Sequence, residues 1–319
     1  MHAFIHAPAA RALAPILLAV AASHVWATEV EWLPSWKAKD RAAYEVTRCK
    51  PIKAEGQTVD TCVKGRLDIV VLRANATSSL QRWNSDILGE ALASSGLAPE
   101  ALATLREAMR FSMDIEFDGA AQPVRLLNGD EVRKKLKAVY SMRTLSKDGK
   151  PLDAKALAAT EAFVGQLLGS DARLLALMAK DANILYSPLG GSFTIGQTVQ
   201  VESSMPSPFG SAPFKSTLSV TTQAGGAGTR ELQLDIIEDL DRNSLAAALD
   251  DIVKPLVGNL GKPEAAAEMR AAFSSMTLRR NSRYRIQPAS SWPLLVNWRQ
   301  SLEVSGQSRL EVTEFKRLQ

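Results

Sequence analysis

A strict alternation of apolar and polar residues between positions 111 and 117 most constrains how this chain can fold. The apolar members are Phe111, Met113, Ile115 and Phe117. This period-2 pattern is typical of a β-strand with one buried face. The Asp118-Gly119 pair then signals a tight turn, and residues 122–127 resume as a second strand. Asn128 and Glu131 match a helix capping box, so the stretch predicts a β-hairpin followed by an amphipathic helix.

Strand patterns recur on both sides of this hairpin. Residues 42–48 and 61–72 predict an early strand pair, with Leu67, Ile69 and Val71 on one face. Later strands are predicted at residues 193–202, 215–223, 229–237, 276–287, 294–304 and 309–318. The last three of these are predicted to form a closing meander with one solvent-exposed face.

Apolar residues at helical spacing occur between these strand runs. Leu80, Trp83 and Ile87 predict a helix that Gly96 ends. Further helices are predicted at residues 153–168, 170–178, 244–257 and 263–274. Because strands and helices fall in separate runs, the sequence predicts an α+β fold. We expect mostly antiparallel sheet with a helical insert and a C-terminal β meander.

Residues 1–27 have the composition of a secretory signal peptide. Arg11 precedes an apolar core at residues 12–22, and Ala27 ends a run suited to signal peptidase. The apolar run is shorter than the roughly 20 residues that a spanning helix needs. We therefore predict an exported protein, periplasmic or secreted, with cleavage near Ala27 and no transmembrane segment in the mature chain.

The predicted mature chain divides into two parts. Residues 28–40 are polar and show no clear period, so they are interpreted as an N-terminal arm. Residues 41–319 are long enough for one large α+β domain, with a sub-boundary near residues 187–192 where the composition changes.

The three histidines, His2, His6 and His24, all lie within residues 1–27. Cleavage would therefore remove the side chain that most often shuttles protons near neutral pH and binds metal ions. This excludes Ser-His-Asp triads, Cys-His pairs and HExxH zinc sites. The mature chain also lacks the Ser-x-x-Lys motif of β-lactamase-like enzymes. The sequence favours a protein that is not an enzyme and carries no cofactor.

Cys49 and Cys62 are the only two cysteines. In an exported protein an even cysteine count at this spacing favours a disulfide, and here it would join two strands of a hairpin. Two buried thiols are the alternative.

One acidic cluster approximates a calcium-binding loop. Its candidate ligands are Asp239, Asp241, Asn243 and Asp250. Ser244 stands where the sharp turn of such a loop wants glycine, and Asp250 stands where a bidentate glutamate belongs. The alternative is that these acids lie near a helix N-terminus, which favours negative charge.

The glycine run at 225–228 lacks the motifs of a phosphate loop and predicts a turn between strands.

Asp114 and Glu116 could act as a carboxylate pair, as glycoside hydrolysis requires. The alternation of their strand also places them on its solvent side by default. A carboxylate-dependent hydrolase acting on a glycan is therefore kept as an alternative function.

Two further groups predict a surface for a partner. Trp32 and Trp36 lie in the polar arm, where we expect them to be exposed. Arg279, Arg283 and Arg285 share one face of a predicted strand and could meet anionic lipid headgroups; a solvated face is the alternative.

The mature chain holds 37 basic and 34 acidic residues, a net charge of +3. This balance does not favour nucleic acid.

The layout as a whole resembles uncharacterised secreted bacterial β-rich proteins. It shares an early strand pair, a hairpin with a helix, a helical insert, a strand opening after Gly196-Gln197 and a β-rich end. The resemblance implies an envelope or lipid-handling role and assigns no residue. The export signal, the β-rich plan and the lack of catalytic motifs together lead us to expect a non-enzymatic envelope protein that binds a lipidic or hydrophobic ligand or a protein partner. An assembly factor of an envelope complex is a further alternative.

Overall fold

An eleven-stranded antiparallel sheet organises the part of the chain that the computed structural model describes. The described residues are 28–54, 57–87, 110–142, 168–205, 214–226, 229–244 and 275–318, with isolated positions at 154, 157, 158, 161, 164, 165, 247 and 271. The strands are β1 (Glu29–Trp32), β2 (Arg41–Ala54), β3 (Gln57–Ala74), β4 (Ser78–Ser85), β5 (Phe111–Asp118), β6 (Pro123–Leu126), β7 (Gly191–Thr194), β8 (Thr198–Met205), β9 (Phe214–Ala224), β10 (Leu232–Leu240), β11 (Thr277–Ile286), β12 (Leu295–Val304) and β13 (Gln307–Arg317). The described helices are α1 (Gly129–Met142), α2 (Asp171–Met178) and α3 (Lys180–Tyr186).

The large sheet consists of two runs of neighbouring strands that are joined in its middle. Its order is β6-β5-β4-β3-β2-β13-β12-β11-β10-β9-β8, and every neighbouring pair is antiparallel. The early and late runs therefore meet where β13 pairs with β2. The remaining strands, β1 and β7, form a separate two-stranded sheet. The predicted α+β class with mostly antiparallel sheet and the closing meander are confirmed, whereas the predicted helical insert is not a clear feature of the described residues.

The early strand pair and its disulfide follow the prediction. Leu67, Ile69 and Val71 all face the core. Cys49 lies directly opposite Cys62 in the register of β2 and β3, with the two Cα atoms 4.0 Å apart, and the two residues form a disulfide. The bond therefore ties two strands that already pair.

The central hairpin and its helix are also confirmed, with one difference at the junction. β5 and β6 form the hairpin, and α1 follows at Gly129 with Val132 and Leu136 buried. The Asn128 side-chain oxygen accepts a hydrogen bond from the backbone N–H of Asp114 at 2.9 Å, and its amide donates to the carbonyl of Ser112 at 2.7 Å. Asn128 thus fastens the start of α1 to β5.

The helix predicted to begin at Leu80 is wrong over residues 78–85, which form strand β4. Its buried residues alternate and are Ser79, Gln81 and Trp83. Two of these three inward positions carry polar side chains, so the period-2 apolar pattern is missing from the sequence. Leu80, Trp83 and Ile87 happen to follow helical spacing instead.

The strands have an inner face, which holds the core, and an outer face. α3 lies on the inner face with Ala182, Ile184, Leu185 and Tyr186 buried. α2 precedes it, and Ser170 caps α2 by accepting a hydrogen bond from the N–H of Arg173. The sequence missed α3 because its seven residues are too short for a helical pattern to stand out.

Several predictions fall outside the described residues. These are the signal peptide at 1–27, the continuation of the predicted first helix beyond residue 87, most of the helix predicted at 153–168, and nearly all of the helices predicted at 244–257 and 263–274. None of the helices in the described part of the chain has the length and apolarity that a membrane-spanning helix requires.

Candidate functional site

The centre of the inner face is closed by aromatic packing around Tyr186 of α3. The rings within 6.2 Å of its ring, measured between centroids, belong to Trp36, Trp83, Phe117 and Trp292. Such tilted and edge-to-face pairs each contribute about 0.5–1.5 kcal/mol beyond the area they bury. Tyr186 is fully buried, and this burial raises the pKa of its hydroxyl well above the ordinary value. A ligand therefore has no access to this part of the inner face.

Beyond α3 the inner face carries a row of polar side chains where an apolar core would be expected. This inner polar row consists of Glu238, Arg280, Gln300 and Glu311 on the neighbouring strands β10, β11, β12 and β13. The Arg280 guanidinium donates to Gln300 Oε1 at 3.0 Å and to Glu238 Oε2 at 3.1 Å. The side chains of Arg280 and Glu238 are mostly buried.

Helix α3 adds two ion pairs to this polar region. Lys180 Nζ donates to Glu311 Oε1 at 2.8 Å and lies 4.9 Å from the centre of the Trp298 ring. Asp181 pairs with Arg48 on β2. Burial alone would raise the pKa of Glu311. The hydrogen bond and charge of Lys180, together with the charges of Lys50 and Arg48, lower the pKa by more than burial raises it, so the net shift is downward. Glu311 is thus held ionised.

The inner face ends in an apolar strip at the β8 edge of the sheet. The apolar strip consists of Val199 and Val201 on β8 and of Leu218 and Val220 on β9, which face each other in register. Leu218 and Val220 pack against the core, whereas Val199 and Val201 are each 47% exposed. Leu218 also lies opposite Glu238, so the strip adjoins the inner polar row directly.

The expected exposure of Trp32 and Trp36 is wrong. Trp32 is 0% and Trp36 8% exposed. The predicted arm contains strand β1, which pairs with β7, and the Trp32 indole donates to the carbonyl of Ser290 at 2.6 Å. The polar neighbours of the two tryptophans suggested a solvated arm, but β1 brings Trp32 into the core through its pairing with β7, and Trp36 packs against the rings of Phe117, Tyr186 and Trp292. Neither can belong to an exposed partner surface.

The three arginines of the predicted partner surface do share one face, the outer face of β11. Each has an acidic partner on or beside β10: Arg279 pairs with Asp239, Arg283 with Asp235 and Arg285 with Glu231. Their positive charge is therefore matched locally. Their role as a partner surface stays a prediction.

The calcium candidate stays a prediction, since only three of its four residues lie in the described part of the chain. Asp239 ends up beside Arg279 on the outer face, and Asp241 accepts a hydrogen bond from the N–H of Ser244 at 2.8 Å. Asn243 is exposed, and Asp250 lies outside the described residues. Within the described ranges no cluster of three or more His, Cys, Asp or Glu side chains is arranged to hold a metal ion.

The carboxylates of Asp114 and Glu116 lie on the outer face of β5 and are both engaged by arginines. Asp114 accepts two hydrogen bonds from Arg82, each 2.7 Å long. Glu116 accepts from Arg125 at 2.9 Å. The carboxylates of the inner polar row are also far apart, because Glu238 and Glu311 lie three strands from each other, or about 14 Å at the usual strand spacing. A glycosidase needs about 5–10 Å between its two acids.

The inner polar row and the apolar strip were not singled out from the sequence. Strand alternation does place Arg280 on the face opposite Arg279, Arg283 and Arg285, which was the available signal. The apolar strip could not be recognised, because the alternation of β8 does not tell which strand forms the edge. No protein-family model matches the chain, and no curated protein matches it by sequence.

Proposed function

We propose that this chain is an exported, non-enzymatic binding protein that takes a lipidic ligand on the inner face of its sheet. The apolar part of the ligand lies along the apolar strip, and its polar end lies towards the inner polar row. The observation that carries the proposal is the exposure of Val199 and Val201 at inward-facing positions. The disulfide between Cys49 and Cys62 supports the export part of the proposal, because disulfides persist in oxidising compartments.

The inward valines favour an apolar ligand for an energetic reason. Inward positions of an antiparallel sheet are normally covered, and apolar area left in water costs about 25 cal/mol per Å². Covering the exposed half of each valine would contribute on the order of 1 kcal/mol per residue. An alkyl chain laid along β8 would cover both valines, since residues two apart on a strand project from the same face.

The adjoining charges favour a particular polar end. Glu238 pairs with Arg280, and Glu311 pairs with Lys180, so the region is electrically balanced. A free anion or cation would find no excess of opposite charge there. An uncharged or zwitterionic headgroup can exchange hydrogen bonds with these side chains without disturbing the balance, so it is the better match.

Native mass spectrometry of protein purified from a bacterial periplasm tests the proposal directly. We expect a mass increment of lipid size that is lost on denaturation. A protein chain travelling with it would instead indicate a partner or an envelope assembly. Sequencing the N-terminus of the same sample checks cleavage near Ala27.

A binding assay then locates the site. A lysophosphatidylcholine carrying a fluorescent acyl chain is titrated against the wild type, Val199→Asp, Val201→Asp and the control Leu310→Asp. Leu310 is 38% exposed, on the outer face of β13. We expect each strip variant to weaken binding about tenfold or more, since a buried carboxylate opposes an alkyl chain, and the control to change nothing. Equal losses in all three variants, or no binding by the wild type, would refute the proposal.

A further inference from the structure

A cleft of about 470 Å³ lies away from the apolar strip. The cleft opens between the segment that leads into β2 and the connection between β11 and β12, beside the end of β13. Trp36 and Trp292 line it with their rings 5.8 Å apart. Its volume is larger than a single ion requires and fits a small organic molecule.

The charged groups that line the cleft are mostly positive. Lys37, Arg41 and Arg317 contribute three positive charges, against one negative charge from Asp40. Asp40 is already engaged, because its carboxylate accepts a hydrogen bond from the backbone N–H of Lys37 at 2.7 Å. Among the described residues no ion pair joins any of the three cations to a carboxylate. This differs from β11, where Arg279, Arg280, Arg283 and Arg285 each have an acidic partner.

The hydrogen bonds of the cleft hold its donors in place. Arg317 donates one guanidinium hydrogen bond to Ser290 Oγ at 3.3 Å, which orients the group and leaves its other N–H donors available. Ser35 Oγ and Ser291 Oγ lie 2.9 Å apart and share a hydrogen bond, which joins the segment leading into β2 to the connection between β11 and β12. An oriented guanidinium is suited to bind a phosphate or carboxylate through two parallel hydrogen bonds.

The backbone beside the cleft is strained in a way that fixes Lys37 and Asp40. Lys39 has φ = 76°, a left-handed conformation that non-glycine residues rarely adopt. Hydrogen bonds from Lys39 N to Val71 O and from Asp40 N to Lys37 O hold the turn. The Trp36 indole N–H is buried and has no acceptor among the described residues, which is unusual in a folded protein. Strain and an unpaired donor at the same place are typical of binding sites.

We propose that this cleft binds the phosphate group of a small phosphorylated molecule or of a phospholipid headgroup. Lys37, Arg41 and Arg317 neutralise the phosphate, and Arg317 contacts it through its free N–H groups. The organic part attached to the phosphate lies in the cleft, where it meets only the small exposed fractions of Trp36 and Trp292, 8% and 6%. The site does not depend on the proposed function, because the strip lies on β8 and β9 and the cleft contains no residue of either strand.

Two sources of the phosphate are tested in parallel. Inorganic phosphate and glycerol 3-phosphate are titrated by calorimetry into the exported protein at low salt. Vesicles of phosphatidylglycerol are tested by co-sedimentation, with phosphatidylcholine vesicles as the neutral comparison. Binding of the free phosphates indicates a soluble ligand, and binding of phosphatidylglycerol vesicles alone indicates a headgroup; either result supports the site if the variants below behave as expected.

The variants are Arg317→Gln and Lys37→Gln, with Arg309→Gln as the matched control. Arg309 is an exposed arginine at the opposite end of β13, so its variant loses the same charge on the same strand. We expect Arg317→Gln to weaken binding about tenfold, and Lys37→Gln, whose side chain is exposed, about threefold or more. Arg309→Gln and Val199→Asp should leave it unchanged. The proposal is overturned if no probe binds at millimolar concentration, or if Arg309→Gln weakens binding as much as Arg317→Gln.

Discussion

Gln81 offers the sharpest test of how the core is held together. It is completely buried on β4, and its side-chain oxygen accepts two hydrogen bonds. One comes from the indole of Trp83 at 3.2 Å and the other from the hydroxyl of Tyr186 at 3.0 Å. The two donor residues, Trp83 and Tyr186, are each only 1% exposed. A single acceptor thus satisfies two polar groups that have no access to water.

Replacing Gln81 by methionine keeps the length of the side chain but removes that acceptor. Two buried donors are then left unpaired, each at about 1–3 kcal/mol, so the free energy of unfolding should fall by about 2–6 kcal/mol. Tyr186→Phe removes one donor and leaves Gln81 paired with Trp83, so it should cost only about 0.5–1.5 kcal/mol.

The double variant Gln81→Met/Tyr186→Phe tests this explanation, because Tyr186→Phe should destabilise the wild type but stabilise the Gln81→Met protein. Because the phenylalanine removes one of the two unpaired donors, the double variant should be more stable than Gln81→Met alone by about 1–2 kcal/mol. Urea unfolding followed by circular dichroism, with unchanged m-values, gives the three free energies. The reasoning fails if Tyr186→Phe destabilises the Gln81→Met protein further, or if Gln81→Met is as stable as the wild type.

Three further predictions concern stability. Replacing Cys49 and Cys62 by alanine should lower the free energy of unfolding by about 3 kcal/mol, the chain-entropy value for a loop of this length, and dithiothreitol should then have no additional effect in urea unfolding; an undiminished stability would contradict this. The downward pKa shift of Glu311 means that its contribution to stability is complete above the ordinary carboxyl pKa of 4.5 and is lost as the pH falls through the lower folded-state pKa. Glu311→Gln should therefore flatten the acid limb of a stability–pH curve, and an unchanged limb would show that other carboxylates determine it. Gly65→Ala should destabilise the protein by about 1–3 kcal/mol in urea unfolding, because its Cβ would lie 2.7 Å from the backbone Cα of Ile87; a neutral result would mean that the chain at Ile87 moves freely.

The parts of the fold that the sequence predicted correctly are those where local pattern and burial agree. Phe111 to Phe117 alternates strictly, and its inward residues Met113, Ile115 and Phe117 are all buried. The cysteine pair was predicted because its partners are close in sequence and lie in one hairpin. In both cases the contacts that define the structure are local, so a short window of sequence contains the information.

The parts that failed depend on distant partners. Gln81 is buried because Tyr186 and Trp83 satisfy it, and Tyr186 is 105 residues away. Trp32 is buried because β7, about 160 residues later, pairs with β1. A polar residue at an inward position and an apolar residue in a polar segment are both misread when the partner is unknown. The candidate site has the same origin, since the inner polar row and the cleft combine residues from elements far apart in the chain.

The pairing of β13 with β2 has a consequence for how the protein is made. Val312 to Arg317 lie beside Tyr44 to Cys49, which are more than 260 residues earlier in the chain. The two halves of the sheet cannot unite until the last described strand has been synthesised, and contacts this distant in sequence form slowly. A growing polypeptide therefore stays incompletely folded for most of its synthesis. Truncation before β13 should yield two separated half-sheets with exposed edges, a form prone to aggregation.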